Sequence, residues 1–319
     1  MKTSRIKQVY SLLAAVMLFT AARSYAADAA PSPTVPVTMT VTANVAGGKR
    51  MPEIGREDLV VKQGKNRVNV TEWVPARGER AGLELFILID DRADSRLSLQ
   101  YDGLRSFIKD QPTSTLIGVG YMSNGVVQIA QDLTTDHVRS ADALRIPVGH
   151  PAAFASPYLS LVDLMKRWPV DQNRREVLMF TDGAGRDRHN FGWRRGYHTD
   201  VDMTTATEVA QRTGTNVFSI YTPSSGLYRS SYWAGSNGQM NLSRLSEDTG
   251  GASFYLGLHS PVSIQPYLQQ LQTVLNNQYL LSFSAMSGKR SGLQPIDLST
   301  EVAGVDLSTH NAVWVAGGK

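Results

Sequence analysis

Residues 83–91 read Leu-Glu-Leu-Phe-Ile-Leu-Ile-Asp-Asp, and this stretch decides the fold class. Its first seven residues are almost all apolar, which is typical of a parallel strand that is buried on both faces of its sheet. Two carboxylates follow at the point where the apolar run ends. We therefore predict a central parallel strand with acidic side chains at its C-terminal end.

Downstream of this strand, strand-like and helix-like patterns alternate as far as residue 278. Apolar residues recur at helical spacing after residue 97, and Asn124-Gly125 is a strong signal for a tight hairpin. Further strands are predicted at 115–121, 126–131, 177–181, 216–221 and 253–256, and helices at 136–144, from 156 onward, at 200–213, 239–249 and 262–276. This alternation predicts an α/β fold with a doubly wound, mostly parallel sheet and helices on both of its faces.

The two ends of the chain have a different pattern, in which apolar and polar residues alternate. We predict that an N-terminal β segment (37–80) and a C-terminal β segment (279–319) pack together as a small antiparallel β region. The α/β domain between them covers residues 81–278, and residues 27–36 are predicted to be a linker.

The first 26 residues have the features of a secretory signal peptide. Three basic residues precede a mostly apolar stretch at 11–22, and Ser24-Tyr25-Ala26 offers small residues for cleavage. We therefore expect an exported protein that is periplasmic or secreted. The alternative is an uncleaved N-terminal anchor, which is the only membrane association that the sequence predicts.

Charge and cysteine content exclude several classes of function. The chain has 32 Lys and Arg residues against 28 Asp and Glu residues, and four of the bases lie in the signal peptide, so the remaining chain is balanced at 28 against 28. A neutral chain gives no reason to expect a nucleic-acid partner. Because the chain contains no cysteine, disulfides, thiolate metal sites and cysteine nucleophiles are excluded.

Candidate site residues follow from the rule that ligands bind at the C-terminal ends of the strands in open α/β sheets. Asp90 and Asp182 each follow a predicted buried strand, and Ser156 opens a predicted helix between them. We expect these three side chains to meet at one edge of the sheet.

The segments that carry these residues resemble a known family. Residues 86–90 (Phe-Ile-Leu-Ile-Asp), 156–159 (Ser-Pro-Tyr-Leu) and 177–183 (Val-Leu-Met-Phe-Thr-Asp-Gly) are similar to the segments that build the metal-ion-dependent adhesion site of von Willebrand factor type A (VWA) domains. Segments at 58–64, 216–221, 242–251 and 278–283 extend the resemblance over nearly all of residues 37–315. The flanking β segments, including 58–64, are similar to the bacterial VWFA-related domain of acidobacterial type.

The resemblance implies a Rossmann-like VWA domain at 81–278 and a site for Mg²⁺ or a similar divalent cation. Family members bind the ion through an Asp-x-Ser-x-Ser motif, a threonine and a later aspartate. Asp90, Asp94, Ser156 and Asp182 stand at ligand positions, but Arg92 replaces the first serine. Arginine has no lone pair to give a metal and carries a permanent charge.

Several interpretations of this degenerate site stay open from the sequence. The residues named above could bind a metal, or Arg92 could pair with Asp90 or Asp182 and substitute for the cation. A shifted match, Asp91-x-Ala93-x-Ser95, keeps one serine. Ser156 before a proline is also a good helix N-cap without any metal.

Two loops rich in arginine and aromatic residues are predicted to rise at the same edge as Asp90. Both loops follow strands of the parallel sheet, at residues 186–198 and 228–233. Arg, Trp and Tyr dominate protein-binding hot spots, although the same side chains could instead pack the loops onto each other. The predicted partner-binding residues are Arg186, Arg188, Trp193, Arg194, Arg195, Tyr197, Tyr228, Arg229 and Trp233.

We weigh three classes of function. The first is a binding module that presents the strand-end face to a protein or a cell-envelope polymer. The second is a structural or assembly component that docks through its β region, with an inactive metal site. The third is an extracytoplasmic hydrolase, which the sequence disfavours because it contains no nucleophile motif and no nucleophile with an identifiable base. The sequence therefore predicts a binding protein that is not an enzyme.

Overall fold

The structure is a computed structural model. It describes residues 33–45, 51–77, 82–148, 156–169, 173–185, 200–225, 232–255 and 257–318. The predicted signal peptide at 1–26 and most of the predicted linker lie outside these residues. The residues from Thr34 onward belong to one unit.

Thirteen strands are present in the described part of the chain, and they form two sheets. The strands are β1 (Thr34–Val45), β2 (Leu59–Gln63), β3 (Asn66–Pro75), β4 (Leu83–Asp90), β5 (Thr115–Ser123), β6 (Val126–Thr134), β7 (Arg174–Thr181), β8 (Thr215–Tyr221), β9 (Ser253–Phe254), β10 (Gln278–Met286), β11 (Gly292–Thr300), β12 (Val305–Ser308) and β13 (Ala312–Val315).

The first sheet has six strands in the order β6-β5-β4-β7-β8-β9. All neighbouring pairs are parallel except β5 and β6, which form an antiparallel hairpin. Asn124 and Gly125 connect these two strands with φ angles of 53° and 74°. Positive φ at both central residues is what a type I′ turn requires, and Asn-Gly is its preferred sequence. The predicted α/β sheet is confirmed.

Six α-helices in the described ranges cover the two faces of this sheet. They are α1 (Tyr101–Lys109), α2 (His137–Asp142), α3 (Pro157–Arg167), α4 (Val201–Thr213), α5 (Tyr232–Asp248) and α6 (Gln265–Asn276). Residues of α1, α2 and α6 pack on one face, and residues of α3, α4 and α5 pack on the other. Alternate residues of β4 contribute to each face, for example Ile87 to the first and Leu88 to the second. This two-sided burial explains why β4 is continuously apolar.

The second sheet has seven antiparallel strands in the order β12-β1-β10-β3-β2-β11-β13. It joins β1, β2 and β3 from the N-terminal segment to the four C-terminal strands, as the sequence predicted. Met39, Val41 and Ala43, which alternate with polar residues along β1, are buried in the core of this sheet. The predicted fold class is therefore confirmed, while the exact domain boundaries stay predictions.

A buried polar chain connects the two sheets. Glu176 on β7 accepts hydrogen bonds from Gln278 on β10 (2.8 Å) and from Asn216 on β8 (3.3 Å). Asn216 in turn bonds the ring of His310, between β12 and β13, at 2.7 Å. Burial raises the pKa of Glu176 to about 8, against the opposing effects of Arg174 and Gln278. Burial also lowers the pKa of His310 to about 4.

The structure differs from the sequence prediction in several local details. The segment after β4 begins with a 3-10 helix (Ser95–Gln100) before α1, because Asp94 caps it. Helix α5 begins at Tyr232, seven residues before the predicted start. Strand β12 was not predicted. Among the described residues, no helix is long and apolar enough to span a membrane.

Candidate functional site

The C-terminal ends of β4, β7 and β8 bring three polar segments together at one edge of the six-stranded sheet. Asp90 ends β4, and Asp182 directly follows β7. Both carboxylates are buried, with Asp90 3% exposed and Asp182 1% exposed. Two buried negative charges at one edge need a compensating charge or donors, because burial strongly disfavours the ionised form.

Arg92 supplies the compensating charge to Asp90. Its Nε lies 3.2 Å from Asp90 Oδ1, and its Nη2 lies 2.8 Å from Asp90 Oδ2. The backbone N–H of Arg92 also donates to Asp90 Oδ1, at 2.9 Å. This two-pronged arrangement is the strong, charge-assisted geometry that arginine forms with a carboxylate. Arg92 is itself only 4% exposed, so the pair is buried.

The same guanidinium reaches across to the end of β7. Arg92 Nη2 lies 3.4 Å from Asp182 Oδ1 and 3.3 Å from the carbonyl oxygen of Ala184. One cation therefore contacts both of the carboxylates that the sequence assigned to the site. Burial by itself lowers the pKa of Arg92, but the charges of Asp90 and Asp182 outweigh it and raise the pKa above the ordinary value.

Two hydroxyl groups complete the contacts of the carboxylates. Thr181 Oγ1 donates to Asp90 Oδ2 at 2.8 Å, and Ser224 Oγ donates to Asp182 Oδ2 at 2.5 Å. The backbone N–H of Ala184 donates to Asp182 Oδ1 at 3.0 Å. As a result, all four carboxylate oxygens accept at least one hydrogen bond. Ser224 was not predicted as a site residue, although its position just after β8 places it at the C-terminal edge of the sheet.

Asp91 belongs to a separate ion pair beside this cluster. Its two oxygens accept from Nη1 and Nη2 of Arg145, at 2.7 and 2.9 Å. The Arg145 guanidinium also lies over the Tyr121 ring, 3.7 Å from its centroid. This pair ties the segment between α2 and α3 to the end of β4. Arg145 was not predicted as a site residue, because it does not follow a strand.

Asp94 does not join Asp90 and Asp182 as the predicted metal ligand set requires. Its carboxylate accepts from Nε and Nη2 of Arg96, at 3.0 and 2.6 Å, and from the Arg96 backbone N–H at 2.9 Å. The physical reason is local, since Asp94 caps the 3-10 helix and an arginine lies two residues further on. This placement corrects the expectation for Asp94.

Ser156 lies at the same edge as Asp90. It is the N-cap of α3, and its hydroxyl accepts from the backbone N–H of Leu159 at 3.3 Å. Ser156, Asp90 and Arg92 line one narrow cleft together with the Asn124-Gly125 turn. The structure thus brings Ser156 to the site and also gives it the capping role that the sequence allowed.

A close backbone approach fixes the turn that carries Asp182. Gly183 has φ of +65°, a conformation that favours glycine. On α5, a Cβ added at Gly238 would lie 2.0 Å from the carbonyl oxygen of Asp182. Tyr158 of α3 donates its hydroxyl to the Gly183 carbonyl at 2.7 Å. Helices on one face of the sheet therefore hold this turn in place.

The donors present do not fit the divalent cation that the family resemblance implies. Mg²⁺ needs several oxygen ligands in near-octahedral geometry. Here a guanidinium bridges Asp90 and Asp182, and Asp94 is paired with Arg96. Within the described ranges, no group of three or more His, Cys, Asp or Glu side chains is placed to hold a metal ion.

Most of the predicted partner-binding residues lie outside the described residues. These are Arg186, Arg188, Trp193, Arg194, Arg195, Tyr197, Tyr228 and Arg229. Trp233 is described, but it lies in the first turn of α5 and not in a loop, which corrects the expectation. It is 40% exposed and contacts Tyr232 edge-to-face, with ring centroids 5.7 Å apart.

A larger cavity lies at the opposite edge of the six-stranded sheet. Its volume is about 540 Å³, and its lining includes Leu83 and Arg174 at the beginnings of β4 and β7. None of the described site residues predicted from the sequence lines this cavity. Asp90, Ser156 and Asp182 lie instead at the C-terminal edge.

Comparisons with known proteins find similar solved structures, and some of these are described as VWA proteins. No family model matches the chain, and no curated protein matches it. Similar solved structures include BatB from Bacteroides thetaiotaomicron, with 13% identity over 61% of this chain and 98% of that chain and a TM-score of 0.44. Another is a von Willebrand factor type A protein from Catenulispora acidiphila, with 9% identity over 91% and 75% of the two chains and a TM-score of 0.41. The SpRpn10 VWA domain has 10% identity over 59% and 94%, with a TM-score of 0.40.

The chain has the α/β architecture that its resemblance to VWA domains implies. A six-stranded sheet with one antiparallel edge strand has helices on both faces and a polar cluster at its C-terminal edge. Likenesses at 9–13% identity carry no information about what the chain binds. The surface of this molecule is the evidence for what the chain binds.

Proposed function

We propose that this chain is an exported binding protein that captures a protein partner on the C-terminal edge of its six-stranded sheet and catalyses no reaction. We call this edge, with the loops and helix starts around it, the strand-end face.

The distribution of exposed apolar side chains carries this proposal. Among the described residues, twelve large apolar side chains are exposed, and ten of them lie at the strand-end face. Eight of them follow the ends of strands or lie near the starts of helices at this edge, and the Asp91–Arg145 pair holds Ile146 and Val148 there. The ten are Leu99, Val126, Ile146, Val148, Leu159, Val201, Tyr232, Trp233, Tyr255 and Val262. The other two are Val138 and Trp314.

Exposed apolar residues are normal when scattered, but their concentration on one face indicates an interaction surface. Four of the ten lie around the cleft described above. Val126 and Leu159 are close to the Asn124-Gly125 turn, since a Cβ at Gly125 would contact Leu159 at 3.4 Å. Ile146 and Val148 are next to the Asp91–Arg145 pair, because the Val148 N–H donates to Asp91. We call these four side chains the apolar rim of the cleft; exposed apolar side chains of this kind become the buried core of a protein interface.

The contacts of the buried carboxylates favour binding over catalysis. A general acid or base needs a free position toward a substrate. Asp90 and Asp182 instead have all four oxygens in hydrogen bonds to Arg92, Thr181, Ser224 and backbone groups. Such a cluster supports a role in organising the face.

Site-specific photo-crosslinking in the source cell tests the proposal. A benzophenone amino acid replaces Val148 on the strand-end face, and the matched control replaces Val138 on α2. The two valines are equally accessible, at 51% and 56% exposure, but belong to different faces. We expect a discrete crosslinked protein from position 148 and none from position 138.

Two outcomes contradict the proposal. Adducts of equal yield from both positions would show nonspecific contact. Adducts that arise only when Trp314 is replaced would instead favour docking through the seven-stranded sheet, because Trp314 lies on β13. That result would support the structural or assembly role.

Export is part of the same proposal and has a separate test. N-terminal sequencing of the protein from the extracytoplasmic fraction should give a mature chain that starts after Ala26 or Ala27. An intact Met1 in that fraction would favour an uncleaved anchor. A protein recovered only from the cytoplasm would refute export.

A further inference from the structure

The strand-end site contains two Asp-x-Arg motifs with nearly the same local geometry and opposite burial. In each motif, the backbone N–H and the Nε of the arginine donate to one carboxylate oxygen, and Nη2 donates to the other. The side chain of Arg92 is 5% exposed, whereas that of Arg96 is 72% exposed. The local motif therefore does not explain why Arg92 is buried.

The difference lies in what Arg92 contacts beyond its own motif. Its Nη2 reaches Asp182 Oδ1 and the carbonyl of Ala184 after β7. Its backbone carbonyl accepts from the Ser225 N–H after β8, at 3.0 Å. One residue thus connects the ends of three neighbouring parallel strands. Next to it, the Asp94 N–H donates to the Pro223 carbonyl at 3.1 Å, which reinforces the link to β8.

The charges of the site are consistent with a permanent cation at this position. Asp90 and Asp182 are buried, and neighbouring Asp91 is already paired with Arg145. Without Arg92, two carboxylates would face each other in a water-poor site, which is strongly unfavourable. An arginine cannot deprotonate or dissociate under ordinary conditions, whereas a bound ion can leave.

We infer that the Arg92 guanidinium is the built-in cation of this site, and that it holds the strand-end face in its binding conformation without a divalent metal ion. The guanidinium takes the central position between Asp90 and Asp182 that an ion would need. It leaves no open coordination position to which a partner's carboxylate could bind. The cluster of Arg92, Asp90 and Asp182 then holds the strand-end face in one conformation, and the apolar rim contacts the partner protein.

Thermal unfolding of the purified protein in EDTA and in millimolar Mg²⁺ or Mn²⁺ tests the inference. For the wild type, we expect the melting temperature to change by less than about 1 °C. Arg92→Ser removes the cation and restores a hydroxyl at this position. We expect this variant to melt at a lower temperature in EDTA and to recover by about 5 °C or more when the ion saturates the site.

Arg96→Ser is the matched control. It removes the same type of two-pronged pair from an exposed position, so it should melt close to the wild type and should not respond to metal. A general weakening caused by loss of any arginine would affect both variants. Recovery by metal that is confined to Arg92→Ser is therefore the specific signature.

A metal-dependent rise of the wild-type melting temperature would overturn the inference, whether or not Arg92→Ser folds. So would equal metal affinity of the wild type and Arg92→Ser in calorimetry, or recovery of Arg96→Ser by metal. No partner is needed for these measurements. A failure of the crosslinking experiment would therefore contradict the proposed function. The thermal unfolding measurements would still test the role of Arg92 by themselves.

Discussion

Arg92 and Asp90 form a buried ion pair in which Nη2 and Oδ2 are 2.8 Å apart, at the edge of the sheet where the resembled family holds a metal ion. Because Arg92 also contacts Asp182, which lies 90 residues further along the chain, this pair joins the ends of β4 and β7. The positive charge that balances Asp90 and Asp182 thus comes from Arg92, a side chain of the protein itself.

The hydroxyl of Thr181 should be required for the stability of this cluster. Thr181→Val removes the donor to Asp90 Oδ2 and leaves a buried carboxylate oxygen with fewer bonds. We expect a loss of about 1–3 kcal/mol in the free energy of unfolding, measured by urea denaturation. The exposed Thr205 on α4 gives the control, because Thr205→Val should change stability by less than about 0.5 kcal/mol. Equal effects of the two variants would contradict a role for Thr181 in the cluster.

The close approach of α5 to the Asp182 turn leads to a second prediction. Gly238→Ala would place a Cβ 2.0 Å from a backbone carbonyl, so the helix or the turn must move. Gly214→Ala is the comparison, since Gly214 has φ of +68° but has open space around it. We expect Gly214→Ala to cost about 1–2 kcal/mol through backbone strain. The loss for Gly238→Ala should be at least twice as large, and a smaller loss would show that α5 is free to shift.

Stability should depend on pH through the buried chain between the two sheets. Folded Glu176 binds its proton more tightly than its ordinary pKa of 4.5 implies, because burial raises the pKa to about 8. Stability therefore falls as the pH rises from about 4.5 to about 8. For His310, burial lowers the pKa from 6.5 to about 4. The contribution of His310 to stability therefore rises as the pH increases from about 4 to 6.5. The two effects oppose each other below pH 6.5, and the fall caused by Glu176 remains above it.

Urea denaturation at several pH values measures this profile. For one group, the slope cannot exceed about 1.4 kcal/mol per pH unit. Glu176→Gln should flatten the fall between pH 6.5 and 8, and the exposed Glu247→Gln should leave it unchanged. A fall that persists in Glu176→Gln would show that other groups cause it.

A charge inserted into the apolar rim should weaken partner binding. With the crosslinking amino acid at position 126, we expect Val148→Glu to reduce the yield of the adduct at least about tenfold, which corresponds to about 1.4 kcal/mol. Burial of an unpaired carboxylate in an interface is the cause. Val138→Glu, at a similar exposure on α2, should leave the yield unchanged. If both variants bind equally well, the rim is not the contact surface.

Much of the fold could be predicted from the sequence, because its strongest signals are physical. The continuous apolar run at β4 required burial on both faces, and the Asn124-Gly125 turn required an antiparallel hairpin. The early start of α5 could not be predicted, because its first turn carries exposed residues and no apolar stripe.

The site was predictable only in part. The rule for parallel strands brings Asp90 and Asp182 together, and Arg92 follows from its distance to Asp90 in sequence. The sequence could not distinguish the two Asp-x-Arg motifs, because burial of Arg92 and exposure of Arg96 depend on the neighbouring strand ends. Arg145 reaches the site only through the packing of α2, which no local pattern encodes.

The most direct test of the account is the yield of the crosslinked adduct from position 148 with EDTA and with Mg²⁺. A face that is organised by Arg92 should give the same adduct in equal yield under both conditions. In Arg92→Ser, the adduct should weaken in EDTA and recover with Mg²⁺. A wild-type adduct that disappears in EDTA and returns with Mg²⁺ would contradict the account, because partner capture would then depend on a metal ion and not on Arg92.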